Sequence, residues 1–418
     1  MTHPGLWPGR WPAEDGGPRR LQSSQGAFAG LRDGEPEVRH RDAHGASMVI
    51  VRDRGEVFLQ GNGIGDPEAN TAWVERIDPV TLAPQARIEG LAGGPTWPGG
   101  IAALADGALV VVFGNHAHRL TADLEVEASV MLPRVAAYNS FVVLPDGHLV
   151  TKDFGGLRPG QGADTPRPPA RLLVLDPVTL AIVSSVDAPE PSIARLSADG
   201  DDVYLVGEST LFRFRWDGRD LARDDGFAAR YRTLDGQTFG WDAVLALGSA
   251  WFLDCGDGGQ HYAGTFRGAG ISPSPLHIVR VDLVGGDVSM TEVCGRPDSL
   301  ITNPPLVDID RGIVVGYDSS NGVLAAFDIT DDALEPRWSV EQFHGPHLVL
   351  DPDSGLFLSF DHDADRWMEQ FVIRDITDGS EVHRADTGSP LQSVVFPAVG
   401  DERCVYACSF STVSSLSW

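Results

Sequence analysis

The sequence predicts an all-β fold, a single β-propeller of eight four-stranded blades closed by pairing of its N- and C-terminal strands. Three observations carry this prediction. A hairpin turn between apolar runs recurs as "VRDRGEVFL", "LADGALVVV", "LPDGHLVTK", "SADGDDVYLV", "DIDRGIVVG" and "DPDSGLFLSF". A second, Asp-led turn recurs between those hairpins as "IDPVTLAPQ", "LDPVTLAIV", "VDLVGGDVS", "FDITDDALE" and "RDITDGSEV". The pair repeats about every 45 residues, a period at which one supersecondary unit stacks on the next. Finally, "QSVVFPAVGDERCVYACSFSTVSSLSW" ends the chain after about three strands, while "EPEVRHRD" near residue 38 is strand-like with no blade of its own. Pairing these two pieces removes the open sheet edges of the ring.

Blades are expected to start near residues 46, 98, 138, 191, 240, 303, 345 and 391. A seven-bladed ring with an insertion is the alternative. The 48 Gly and 29 Pro are spread among short segments as turn residues, so 27–418 reads as one domain. Residues 1–26, "MTHPGLWPGRWPAEDGGPRRLQSSQG", read as an extension, poorly structured or packed on the surface.

The formal net charge of −27 argues against a nucleic-acid backbone or an anionic membrane as partner, since both attract cations. No apolar run has signal-peptide or membrane-spanning form. Cys255, Cys294, Cys404 and Cys408 show no CxxC spacing, and Cys404 and Cys408 would stand about 13 Å apart on one strand. A cytoplasmic protein with a small-molecule substrate is therefore expected, and the oligomeric state is left open.

The turn "DITDDALEPRW" (328–338) and the turn "DPVTL" (176–180) resemble the outer-strand turns of quinoprotein-like propellers. That family implies periplasmic dehydrogenases with a quinone beside adjacent paired cysteines and a calcium ion. Adjacent cysteines are absent here, so a quinone cofactor is not expected, while a divalent metal stays open. A more local resemblance joins "YNSFVVLPDGHLVTKDF" to propellers of the gluconolactonase and senescence-marker type. In that type an Asn opening an inner strand helps to hold a metal. Asn139 matches it, and Ser140 stands where the family usually has Asp.

In a propeller the residue opening an inner strand and the residue ending the next strand lie at the same mouth. Inner-strand starts supply His44, Tyr138, Asn139, Trp241, Asp242, Asn303, His344, His347 and Gln392. Ends of second strands supply Asn62, Asn115, His116, Lys152, Asp153, Glu208, Asp254, Asp257, His261, Asp318, Asp361 and His362. The long loops 61–71, 154–170 and 255–275 fall on that face, longer than hairpin connections usually are, and are expected to cap a pocket.

Lys152 is the only lysine beside 31 arginines (32 cationic residues less one). An amine loses its proton when desolvated, as a guanidinium does not, so Lys152 is expected to act as base, amine nucleophile or carboxylate anchor. Asp153, Asp254, Asp257, His261, His347 and His362 are the expected acid–base partners, because carboxylate and imidazole pKa values can be moved toward neutrality. Tyr138, Asn139, Trp241, Asp242, Asn303, Asp318 and Asp361 are the expected substrate contacts. Asn139, Asp254, Asp257 and His261 are the candidate metal ligands. The expected activity is lactone or ester hydrolysis. The alternatives are an isomerase, lyase or cyclase using Lys152 with these acid–base groups, and a non-catalytic protein-interaction propeller.

Overall fold

The computed structural model describes all residues except 1–2, 64–65, 67–68, 157–164, 332, 395 and 402, and the side chain of Asn139. Eight four-stranded antiparallel sheets form the blades of a ring. Their inner strands are Ala46–Asp53, Gly100–Ala103, Tyr138–Val143, Ser197–Asp199, Val244–Ala246, Leu306–Asp308, Val349–Asp351 and Ala398–Val399. The expected blade starts fall on or a few residues before these, because several inner strands are short and the residues ahead of them line the mouth instead. The ring closes as predicted. Strand Glu37–Asp42 pairs with Thr412–Ser417, from Glu37 opposite Ser417 to Asp42 opposite Thr412, and becomes the outermost strand of blade 8.

Sequence pattern follows position within a blade. The second strand of blade 2, Leu109–Phe113, is buried at every residue because neighbouring blades cover both faces. Its outer strand, Val126–Met131, alternates between exposed and half-buried residues, as a strand with one wet face does. The Asp-led turns hold these strands together locally. Asp78 Oδ1 accepts the amides of Val80 and Thr81, at 3.0 and 2.7 Å, and the Thr81 hydroxyl; Asp176 repeats the set with Val178 and Thr179. No helix among the described residues is long and apolar enough to cross a membrane.

The structure corrects the reading of residues 1–26. This segment threads into the end of the channel opposite the expected mouth, with Leu6, Trp11 and Arg20 buried. Its backbone exchanges hydrogen bonds with Val51 of blade 1, Ala103 of blade 2, Ala198 of blade 4, Leu245 of blade 5 and Leu350 of blade 7. Gln22 donates to Pro305 O of blade 6 at 2.8 Å. The short 3-10 turn Glu14–Gly16 packs against the inner strands of both blade 2 and blade 8. A segment that touches opposite sides of the ring is a plug on its axis.

Candidate functional site

The plug carries Glu14, Asp15 and Arg20 into the channel, where they meet charged residues from the blades. Asp15 adopts φ 55°, a left-handed conformation that Asp tolerates better than most residues, and this turn aims both carboxylates inward. Arg20 binds Asp15 Oδ2 at 2.8 Å and Glu14 Oε2 at 3.2 Å, and donates to Leu196 O. Ser140 donates its hydroxyl to Glu14 Oε2 at 2.8 Å. From blade 4, Arg195 approaches that same oxygen at 3.7 Å and holds Asp242 by its amide at 2.6 Å and its guanidinium at 3.3 Å. From blade 7, His347 Nδ1 lies 2.7 Å from Asp15 Oδ1. Phe396 of blade 8 stacks on the His347 ring and lies under the Arg195 guanidinium at 4.5 Å.

Every charged member of this cluster is at most 5% exposed, so solvation by water is replaced by mutual pairing. Burial raises the Glu14 carboxyl to about 7 against the opposing Arg20 and Arg195, which makes it a proton donor near neutrality. Burial pushes His347 below its ordinary value. Glu14 Oε1, Arg195 Nε and His347 Nε2 are buried and make no hydrogen bond. Buried polar atoms are ordinarily paired; here Arg195 Nε has only the 3.7 Å ion pair with Glu14, and these atoms make the axial cluster the candidate site.

Lys152 flanks this cluster at the boundary of blades 3 and 4. Its amine donates to Ser192 O at 2.8 Å and Asp153 O at 3.1 Å, and only 1% of the residue is exposed. Burial lowers its pKa to about 7; Asp153 and Asp242 oppose the shift and Arg195 adds to it. Asp153 points the other way, as alternation along a strand requires. It accepts the Arg171 amide at 2.6 Å and binds Arg134 at 2.7 Å.

Asp153 thus braces its own blade, and three other expected site carboxylates do the same. Asp254 accepts the His277 amide at 2.6 Å, the His277 ring at 2.9 Å and Gln237. Asp318 accepts amides of Leu300, Ser320 and Asn321. Asp361 accepts the amides of Phe343 and His362 and pairs with Arg384. Each satisfies buried N–H groups where a strand ends. The residues just before these four are Lys152, Leu253, Tyr317 and Phe360, all buried. Lysine therefore occupies a position that two sister blades fill with a hydrocarbon side chain.

The other candidates are dispersed. His261 is exposed on a short 3-10 turn and Asp257 caps the Gly258 amide, so neither is gathered with the fully buried Asp254. No three His, Cys, Asp or Glu side chains among the described residues converge as a metal-ligand set. Asn139 lies in strand Tyr138–Val143, its side chain outside the described residues. Tyr138 is buried in the hydrophobic cluster between blades 2 and 3, and burial raises its hydroxyl to about 12. His362 Nε2 meets Pro390 O at 3.2 Å, Trp241 donates to Gly256 O, and Asn303 donates to Gly345 O at 2.7 Å. Of the expected set, Lys152, Asp242 and His347 belong to the axial site.

The 255–275 loop, expected to cap a pocket, is tied down on three neighbouring blades. It leaves blade 5 and arches past blades 6 and 7 to the start of blade 8, where Tyr262 donates to Gln392 O at 2.6 Å and the Phe266 amide to Gln392 Oε1 at 2.7 Å. On the way Arg267 stacks over Phe343 and Gly268 bonds Ser320. Residues 64–65, 67–68 and 157–164 of the other two long loops lie outside the described residues; Arg167, at the end of the second, reaches Glu208 at 2.6 Å and Phe239.

Next to Gln392, Ser393 donates its amide to Glu369 at 2.6 Å, and burial raises the Glu369 carboxyl to about 8. A folded-state pKa above the unfolded one adds stability that is complete below the unfolded value and is lost as pH rises through the folded one. The loss is therefore expected between about pH 4.5 and 8. Glu369→Gln should flatten this part of a Tm-against-pH curve, and an unchanged slope would show that Glu369 is ionised throughout.

No protein-family model matches the sequence, and no curated protein matches it. Solved structures do. The quinohemoprotein alcohol dehydrogenase of Comamonas testosteroni aligns over 99% of this chain and 81% of its own, with TM-score 0.64 and 12% identity. The chain is a β-propeller. The computationally designed protein Ika8 aligns over 90% of this propeller and 97% of its own chain at TM-score 0.57 and 10% identity. BamB of Moraxella catarrhalis aligns over 90% and 100% at 0.55 and 13%. At these identities the likeness is one of fold.

Glu14, Asp15, Arg20 and Arg195 escaped the sequence reading. A signal was present in "WPAEDGGPRR", where an acidic pair and a basic pair flank two glycines between tryptophan and proline. Arg195 was hidden because its blade was expected to start at residue 191, while the strand starts at Ser197.

Proposed function

We infer that this propeller is a small-molecule enzyme whose site lies on the axis beneath the 255–275 loop and which applies amine or acid–base chemistry to a carbonyl or carboxylate compound. The observation that supports this reading is Lys152, a wholly buried amine near neutrality beside the Arg195–Asp242 pair. A neutral amine is a nucleophile and a base, which the ammonium is not. Arg195, whose Nε makes no hydrogen bond and only a 3.7 Å ion pair with Glu14, is suited to anchor a substrate carboxylate. His347 and Glu14 are suited to move protons, and the 255–275 loop to exclude water while they do. The isomerase, lyase or cyclase class fits this arrangement better than the hydrolase class, because Asp254 and His261 do not gather into a water-activating set.

A single lysine makes the test unambiguous. Protein labelled with [13C]lysine should give one side-chain resonance titrating near pH 7. Incubation with small 2-oxo acids and cyanoborohydride should add mass on the peptide that contains Lys152, because amine attack on the carbonyl expels water and leaves an imine that hydride reduces. Lys152→Arg should abolish that adduct. A resonance titrating above pH 9 with no adduct from any 2-oxo acid or aldehyde would overturn the amine reading.

A further inference from the structure

A cleft of about 450 Å³ lies away from the axis, on the seam where blade 8 meets blade 1. This is within the range of small-ligand sites, roughly 300–1,000 Å³. One wall is apolar, made by Val57, Pro79 and Val80; Val80 remains 56% exposed. Tyr406 forms part of the lining and donates to Pro79 O at 2.9 Å, fixing the two blades at this spacing. Arg39, from the closing N-terminal strand, stands at the rim and donates to Val80 O at 3.1 Å and to Glu37 at 3.0 Å. Glu37 is 63% exposed at its side chain, and an ion pair in that setting contributes little, so another carboxylate can take its place. Arg54 and Asp401 also line the cleft and balance each other in charge.

The geometry points to a binding site here for a small amphiphilic carboxylate, its apolar tail against Val57, Pro79 and Val80 and its anion on Arg39. The site is separate from the axial one and does not depend on its chemistry. A chain of net charge −27 gives anions no general attraction, so recognition rests on this guanidinium and the apolar wall. The ligand would touch both sides of the closing seam, and its binding would therefore raise the Tm of the whole ring.

Titration calorimetry of the full chain with octanoate, octanol and octylamine tests the assignment. Octanoate should bind saturably and octylamine should not. Val80→Glu, at an exposed position that leaves folding intact, should weaken octanoate at least about tenfold. Arg39→Gln should weaken octanoate similarly while leaving octanol unchanged. Absence of saturable octanoate binding up to about 10 mM, equal affinity for octylamine, or unchanged binding to Val80→Glu would each overturn it.

Discussion

Replacing Arg20 by Met lowers the free energy of unfolding by about 3–5 kcal/mol, the usual consequence of removing one partner from a buried ionic group. Arg20 is 1% exposed and its guanidinium is shared by Glu14, Asp15 and Leu196 O. Methionine fills part of the volume but leaves two carboxylates in a medium that does not solvate them. Protonating those carboxylates relieves the charge, so the deficit should shrink in acid. Arg19→Met is the internal control: Arg19 is 42% exposed at its side chain and 3.9 Å from Asp199, a pair worth about 0–1 kcal/mol. Chemical denaturation of the three proteins decides the matter. A loss at Arg20 no larger than about 1 kcal/mol would mean that the buried ionic cluster contributes little to folding.

The second large effect is a pH dependence carried by Lys152. Its folded-state pKa, about 7, lies below the ordinary 10.5. Between those values the unfolded chain holds a proton that the folded chain does not, so stability rises with pH across that window, by up to about 1.4 kcal/mol per pH unit. Below pH 7 both states are protonated and the burden of a buried ammonium is present in full. Lys152→Met removes the titration. The stability of the wild type relative to this variant should therefore climb by several kcal/mol between pH 7 and pH 10, and a flat difference would show that the amine is charged throughout.

The ring was legible in the sequence because its information is local and repeated. "DPVT" at 78–81 and at 176–179 makes the same carboxylate-centred turn twice, and the apolar runs between turns have the length of strands. The closing strand was legible as a remainder: a piece near residue 38 with no partner and a final blade lacking one strand. The site was legible only in part. Lys152 stood out by composition and His347 and Asp242 by position, but a rule that places polar residues at a mouth does not say what each one binds. Asp153, Asp254, Asp318 and Asp361 obey the rule and still serve backbone amides, because every blade has the same N–H groups to satisfy. The plug defeated the reading for a different reason. Its bonds to the blades join residues tens to hundreds of positions apart, such as Trp11 with Val51 and Gln22 with Leu350, and no periodicity records such contacts.

The closing strand also constrains how the molecule is made. Glu37 pairs with Ser417, so this strand is synthesised long before Thr412–Ser417, the strand that becomes its partner. Until then blade 8 does not exist and the growing stack of blades ends in an open edge, which invites pairing with other chains. Blades can form one after another from local contacts during synthesis, but the ring closes only once Thr412–Ser417 is available to pair. An unclosed ring should therefore be the species of this protein most prone to associate with other chains.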